Sequence, residues 1–310
     1  MAGSDSMRYQ GIVVFGLAVF AAISLGAGYS VPLMLMLPAL TAYFTVRGRY
    51  TLCLVIAGTA AALPVAAAQA YLISMLLLAV AFSGVLLGAL MRVRLSLGTC
   101  IALITGIVFI LDAGYTWLTW PSSKTDYMDA IAAYGERVKA GDENADHLMT
   151  LLTWMGDNWL YTSFGIAFGG ILLGVTVIQY LLYRSLTAQG LIAPLNSHFS
   201  RMRVPEHLVW VAIALAGLWF LDKWQPNEIV RFVAWNGAIA MAFVYWLNGL
   251  SIVFFWIKVL QPRPVFILLL LVAAFVFNFH QLFAVAGFFD TWFDFRVKIA
   301  RIAAERIKQE

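Results

Sequence analysis

Apolar runs follow one another along most of the chain, and their lengths are those of membrane-crossing helices. A helix needs about 20 apolar residues to cross the hydrocarbon core of a bilayer. This length predicts nine candidate spans, at residues 10–28, 31–46, 51–70, 72–91, 97–120, 159–183, 207–221, 231–257 and 264–289. The predicted fold is therefore an all-α, polytopic transmembrane bundle of eight or nine spans.

The last apolar run, 264–289, has two interpretations. It begins at Pro264 and carries a polar stretch from Asn278 to Gln281. Two halves of about 12 residues would each rise only about 18 Å, which suits a re-entrant hairpin. A full ninth crossing would instead place a strongly basic tail outside. We favour eight crossings, a cytoplasmic tail and a re-entrant or tilted last element.

Basic residues between the runs predict the orientation of the bundle. Ten lie on the side of the N-terminus: Arg8, Arg47, Arg49, Arg92, Arg94, Arg184, Arg201, Arg203, Lys258 and Arg263. Five lie on the opposite side: Lys124, Arg137, Lys139, Lys223 and Arg231. Basic loops stay in the cytoplasm, so the N-terminus is predicted to be cytoplasmic and loop 121–158 external.

Composition agrees with lipid as the main solvent of this chain. Of its 310 residues, 62% are hydrophobic and 12% are charged, against roughly 25% charged in soluble domains. The net charge of +4 is not concentrated on one basic face, which argues against a nucleic-acid partner. Cys53 and Cys100 lie inside apolar runs without a metal-binding spacing, so neither a metal nor another cofactor is expected.

The long loop at residues 121–158 is acidic, with seven acidic and three basic residues. Apolar residues at helical spacing predict an amphipathic helical pair that lies on the outer surface. A lid over an external pocket, or a contact for a partner, is the alternative. The chain thus divides into a bundle at 1–289, which carries this insertion, and a tail at 290–310.

Polar side chains inside the apolar runs are the candidates for a ligand pocket, because such groups are costly in lipid. The candidates are Asp112, Tyr115, Gln69, Asn236, Asn248 and His280. They could equally form hydrogen bonds between helices, worth on the order of 1 kcal/mol each. The motifs H-E-x-x-H, G-x-S-x-G and the Walker lysine loop do not occur, so we expect no enzyme. An unrecognised membrane transferase is the remaining enzymatic alternative.

The stretch "GFFDTWFDFRVK", residues 287–298, ends the last apolar run. Asp290 is predicted as the N-cap of a tail helix, and Asp294 as an ion-pair partner of Lys298 four residues later. The helix would be amphipathic and basic, suited to an anionic leaflet surface, with Trp292 as an anchor. A protein-docking site is the alternative.

Pairs of small residues four apart predict close helix packing, as at Gly84 and Gly88 or Gly165 and Gly169. Ala18 and Ala22 form another such pair. Such pairs mainly indicate packing within the bundle, and a docking surface for a partner helix is the alternative.

Three stretches, "RVPEHLVWVAIALAGLW", "WLNGLSIVFFWIKVLQPRP" and "GFFDTWFDFRVK", resemble the YybS-like family of uncharacterised bacterial inner-membrane proteins. That family is similar in fold to the substrate-binding (S) subunits of energy-coupling factor transporters. The resemblance implies a bacterial inner-membrane location, a small-molecule ligand, and a separate coupling subunit with ATPases. It also implies docking through small residues, here Ala18 and Ala22.

Two functional hypotheses follow. The first is a small-molecule-binding or transport subunit. The second is a membrane scaffold or assembly partner without transport activity. The candidate docking residues are Ala18, Ala22, Asp290, Trp292, Asp294 and Arg296.

Overall fold

All regular secondary structure in the described part of the chain is helical, as predicted. The structure is a computed structural model. It describes residues 31–66, 71–92, 95–118, 125–133 without 127, 149–191 without 151 and 155, 199–269 without 264 and 268, and 281–307. The candidates Ala18, Ala22, Gln69 and His280 lie outside these residues.

The helices are numbered here in chain order. They are α1 (Val31–Val46), α2 (Tyr50–Ala66), α3 (Tyr71–Arg92), α4 (Leu97–Leu118), α5 (Trp159–Ala188), α6 (Leu208–Trp224), α7 (Glu228–Leu260), α8 (Gln281–Phe293) and α9 (Phe295–Ile307), with a 3₁₀ turn at Phe199–Arg201 before α6. By length and composition, α4, α5 and α7 could each cross a membrane. Shorter apolar helices are found at Leu37–Val46, Tyr50–Ala60 and Leu77–Arg92. The count of eight or nine spans stays a prediction.

The described residues fall into two compact units. The first includes α1, α2 and α3, together with residues 106–111 and 177–191. The second includes residues 96–105, the described part of 112–176, and the chain from 199 onward.

In the first unit, α1 and α3 approach through glycines, as the small-residue spacing predicted. A Cβ on Gly84 would overlap Pro38, and one on Gly88 would press on Thr45. The Thr41 hydroxyl lies 2.9 Å from the carbonyl oxygen of Ala81 on α3, so a buried hydrogen bond accompanies the close contact. Small residues here serve packing between neighbouring helices.

In the second unit, α5 packs on α7 through Gly165 and Gly169, which face Asn236 and Phe243. The Oδ1 atom of Asn236 accepts the backbone N–H of Gly165 at 2.8 Å, and its Nδ2 donates to the carbonyl of Leu160 at 2.9 Å. The buried amide of Asn236 is thereby used to join two helices.

A short turn joins α6 to α7. Asn227 caps α7, because its side-chain oxygen accepts the backbone N–H groups of Ile229 and Val230. Asp222 accepts the backbone N–H of Asn227 at 3.2 Å and pairs with Arg231 at 3.0 Å. The turn therefore fixes how these two helices are paired.

In the second unit, α7 and α8 approach closely through two glycines. A Cβ on Gly249 would overlap the carbonyl oxygen of Phe283, and one on Gly287 would overlap that of Tyr245. The Nδ2 atom of Asn248 donates to the carbonyl of Gly287 at 2.8 Å. The two backbones can meet only because both positions lack a side chain.

The chain turns sharply at Asp294, between α8 and α9. Its φ angle is +44°, a left-handed conformation that Asp tolerates better than most residues. The prediction placed the start of the tail helix at 290, whereas α8 continues to Phe293 and α9 begins at Phe295. At 13 residues, α8 is about 20 Å long. Whether the run 264–289 crosses the membrane stays a prediction, because most of its first half lies outside the described residues.

We expect Gly249→Ala to lower the free energy of unfolding by about 1–3 kcal/mol, because the added methyl group overlaps a backbone oxygen that cannot rotate away. Thermal unfolding in detergent, followed by size-exclusion chromatography, measures the change. The matched control is Gly217→Ala on α6, where a Cβ meets nothing within 4 Å. Equal melting temperatures for the two variants would contradict the close contact.

Candidate functional site

The second unit contains a buried guanidinium, that of Arg296 on α9, with a side chain that is only 4% exposed. Its Nη1 donates to Oδ2 of Asp290 at 2.5 Å. Its Nη2 lies 2.8 Å from the carbonyl of Met202, 3.0 Å from Oγ of Ser251 and 3.2 Å from Oδ1 of Asn248. We call these five residues the Arg296 cluster.

The Arg296 cluster joins α7, α8, α9 and the segment before α6. Oδ1 of Asp290 accepts the backbone N–H of Phe295, the first residue of α9, at 2.9 Å. The Ser251 hydroxyl donates to the carbonyl of Phe199 at 2.8 Å. Burial lowers the pKa of the Arg296 guanidinium, and the Asp290 carboxylate opposes that shift. Each partner compensates part of the cost of burying the charge, so the cluster is a structural anchor for α9.

A second ion pair lies at the surface beside this cluster. Nη2 of Arg203 is 2.9 Å from Oδ1 of Asp294, with side chains 54% and 45% exposed. Asp294 was predicted to pair with Lys298. Lys298 instead lies over the rings of Phe293 and Phe295, with its Nζ 5.0 and 5.8 Å from their centroids.

A polar cleft of about 320 Å³ borders both ion pairs. Its lining includes Arg203, Glu206, Asn248, Asp290 and Asp294. Asp290 is already neutralised by the buried guanidinium, and Asp294 by Arg203. Of the acidic side chains in the lining, Glu206 is the one that none of the described ion pairs includes. The described residues contain no group of three metal-ligating side chains.

A larger groove of about 620 Å³ lies between α6, α7 and α8. We call it the apolar groove. It is lined by Ala212, Leu215, Ala216, Trp219, Trp235, Ala238, Met241, Ala242, Tyr245, Ala284, Val285, Phe288 and Phe289. The small side chains of the alanines leave this space unfilled, and aromatic rings line it. Sites for small apolar molecules commonly have such a lining.

The sequence contains a signal for this groove that the prediction missed. Ala212 and Ala216 are four residues apart on α6, and so are Ala238 and Ala242 on α7. Such spacing places both alanines of a pair on one helix face. Small pairs usually allow helices to touch, and here they border a gap instead. Whether two such faces touch or leave a gap depends on the angle and position at which the helices cross. The spacing of the alanines along the sequence does not determine that geometry.

Tyr245 lies beside Asn248 and Gly249 at the crossing of α7 with α8. Its side chain is 3% exposed, and its ring packs edge-to-face on Phe288 with centroids 5.1 Å apart. Its hydroxyl has no hydrogen-bond partner among the described residues. A buried hydroxyl left without a partner costs roughly 1–3 kcal/mol.

The four described residues that were predicted to line a pocket lie on two different helices, α4 and α7. Asn236 and Asn248 are 12 residues apart on α7, about 18 Å along the helix, and each forms hydrogen bonds within the protein. Asp112 and Tyr115 are half-buried on α4. A role for these four residues in ligand binding stays a prediction.

The predicted docking residues divide into two groups. Asp290 and Arg296 bind each other inside the protein, whereas Trp292 is 53% exposed and Asp294 lies at the surface. Trp292 and Asp294 are therefore accessible to a partner. Asp290 and Arg296 are not accessible in this conformation.

The sequence model of a family described as predicted membrane proteins, DUF2232, matches residues 18–291. The chain belongs to the DUF2232 family. The match covers α1 to α7 and all but the last two residues of α8, so the apolar groove lies within the family region. No curated protein and no solved structure matches this DUF2232 chain. Membership supports the predicted membrane environment and leaves the activity to be inferred from the site.

Removing one charge of the buried pair should destabilise this DUF2232 protein. We expect Arg296→Ala to lower the free energy of unfolding by about 3–5 kcal/mol, because the Asp290 carboxylate is left buried without its partner. Arg203→Ala breaks the exposed pair and should cost only about 0–1 kcal/mol. Thermal unfolding of both variants in detergent measures the difference.

A double variant, Asp290→Leu with Arg296→Met, removes both buried charges and keeps apolar volume. We expect it to recover a large part of the stability lost in Arg296→Ala. If Arg296→Ala melted at the same temperature as Arg203→Ala, the anchoring role of the buried pair would be wrong.

Proposed function

We propose that this DUF2232 protein is a small-molecule-binding membrane protein whose ligand occupies the apolar groove. The observation that carries the proposal is the groove itself, which measures about 620 Å³ between α6, α7 and α8 and is lined mainly by alanines and aromatic rings. Ligand pockets for small molecules commonly have volumes of about 300–1,000 Å³ and mainly apolar walls. The ligand we propose is therefore apolar over most of its length.

The resemblance of the stretches at 203–219, 246–264 and 287–298 to the YybS-like family supports this proposal. Through that family the chain resembles the substrate-binding subunits of energy-coupling factor transporters. In this proposal the protein lies in the bacterial inner membrane, with a cytoplasmic N-terminus and an external loop at 121–158. Because the chain has no Walker motif, transport would depend on a separate coupling subunit and ATPases.

The proposed site differs from the one that the polar residues predicted. Asn236 and Asn248 already use their amides within the protein. The groove is instead lined by side chains that were not among the candidates predicted from the sequence. A ligand from the bilayer reaches such a groove without crossing water.

A second function, that of a membrane scaffold, is supported by the exposed face of α9. Val297 and Ile302 are more than half exposed, and Lys298 and Arg301 are exposed beside them. The buried guanidinium of Arg296 attaches the helix to the rest of the unit, so this face is held in a defined position. An acidic, partly apolar partner surface would complement it.

We expect Ala242→Trp to fill the apolar groove and to reduce the amount of co-purifying small molecule at least about tenfold, since an indole occupies the space that the ligand needs. The protein is isolated gently from native membranes, and bound molecules are quantified by native mass spectrometry and solvent extraction. The matched control is Ala214→Trp, an exposed alanine of α6 that does not line the groove. A wild-type protein without a bound small molecule, or equal retention by the two variants, would contradict the proposal.

For the scaffold function, we expect the charge reversal Lys298→Glu with Arg301→Glu to dissolve a complex isolated from native membranes. The exposed cations face outward, so their reversal should leave the melting temperature of the protein nearly unchanged. Chemical cross-linking before isolation, followed by mass spectrometry, measures the loss of partners. The same set of partners with wild-type and reversed α9 would exclude this face as the contact.

A further inference from the structure

We propose that the arginine-rich end of the first unit binds an anionic phosphate group, carried by a lipid headgroup or by a soluble compound. The site consists of Arg47 and Arg49, which lie in the turn between α1 and α2, and Arg92, the last residue of α3. We call these three residues the arginine site. The inference goes beyond the proposed function, because the arginine site lies in the first unit and the apolar groove in the second.

The side chain of Arg92 lies against the turn that carries the other two arginines. Its Nη2 donates to the carbonyl oxygen of Val46 at 2.9 Å, and its Nη1 donates to the hydroxyl of Tyr50 at 3.1 Å. A Cβ on Gly48, in the middle of the turn, would lie 3.7 Å from the same Nη2. Arginines from two distant parts of the chain are therefore brought together at one turn.

Hydrogen-bond donors at this turn are accessible to a ligand. A guanidinium has several N–H donors, and the two bonds of Arg92 use only part of them. Arg49 and Arg92 are both exposed. Arg47 is half-buried; it donates to the side-chain oxygen of Gln189, and its Cζ lies 4.7 Å from the ring centroid of Tyr43. Arg49 and Arg92 can thus contact a ligand directly, while Arg47 adds positive charge.

The described residues of the first unit provide no acidic side chain to neutralise this charge. They include Arg184 as well as the arginine site, and they contain neither Asp nor Glu. The bonds of Arg47 and Arg92 go to neutral oxygens. In the second unit, by contrast, three arginines are each paired with an aspartate. The positive charge of the arginine site therefore attracts an anion.

A phosphate group fits both the charge and the donors of the arginine site. Guanidinium groups bind phosphate oxygens through paired, charge-assisted hydrogen bonds. The neighbouring side chains Tyr50 and Leu54 on α2 are 51% and 69% exposed, and their spacing of four residues places them on one helix face. This face provides an apolar surface for an alkyl chain directly beside the arginines. The surroundings therefore favour a lipid as the source of the phosphate, as basic residues at a membrane surface attract anionic lipids.

The test measures lipid binding to the full-length protein in detergent by native mass spectrometry. The probes are phosphatidylglycerol, which is anionic, and phosphatidylcholine with the same chains, which has a phosphate but no net charge. We expect phosphatidylglycerol to bind at least about fivefold more tightly, the factor that one basic side chain contributes near an anionic lipid. Arg49→Gln and Arg92→Gln should each weaken phosphatidylglycerol binding by about the same factor.

The matched control is Arg203→Gln, which removes an exposed arginine of the second unit that is paired with Asp294. Its affinity for phosphatidylglycerol should equal that of the wild type. Arg49→Gln leaves the hydrogen bonds of Arg92 in place, so it tests the site even if Arg92→Gln alters the turn. Equal binding of the two lipids, wild-type affinity in Arg49→Gln, or an equal loss in Arg203→Gln would overturn the proposal.

Excess inorganic phosphate distinguishes the two sources of the phosphate group. Displacement of phosphatidylglycerol from the wild type would support the site as one that accepts soluble phosphate compounds. Retention of the lipid, together with its loss in the two arginine variants, would assign the site to a lipid headgroup. If neither phosphatidylglycerol nor inorganic phosphate bound to the wild type, the arginine site would not be a phosphate site.

Discussion

The buried ion pair of Arg296 with Asp290 is the interaction on which the arrangement of the second unit depends. A guanidinium inside an apolar protein is stable only when acceptors surround it, and here four residues from three separate parts of the chain supply them. The pair holds α9 against α7 and the segment before α6. It also orients Asp290, whose second oxygen accepts the first backbone N–H of α9. The sharp turn at Asp294 is thereby fixed from both sides.

The groove depends on the same part of the fold. Gly249 and Gly287 let the backbones of α7 and α8 touch, and a groove of about 620 Å³ lies between α6, α7 and α8. Tyr245 lies at the point of contact. A close helix crossing next to an unfilled groove gives the proposed binding site an apolar wall that is fixed in position. Such pre-organisation lowers the cost of ordering a ligand.

The proposed function combines these two features with the membrane setting that the DUF2232 family indicates. The Arg296 cluster keeps the helices in place, and the groove provides the space for the ligand. The exposed side of α9 is a second surface, and none of its residues line the groove. Ligand binding and partner binding can therefore be separated by variants in the same unit.

Local sequence patterns determined the helical class of this protein and several of its packing positions. Long apolar runs can satisfy their backbone groups only as helices in lipid, so the helical class and most helix positions followed from composition and run length. Gly84 and Gly88, or Gly165 and Gly169, were predicted to be packing positions because their spacing places them on one face. The basic, amphipathic tail helix followed from its residue pattern, although its start at Phe295 did not.

Tertiary structure decided what each polar residue does. Arg296 belongs to a basic tail by sequence, yet it is buried because Asn248 and Ser251, 48 and 45 residues away, supply acceptors. Tyr245 looks like any aromatic residue of an apolar run, and its ring is buried against Phe288 because α8 crosses beside it. Both outcomes depend on the angle and position at which helices meet. Those quantities are set by many distant contacts together and by no local pattern.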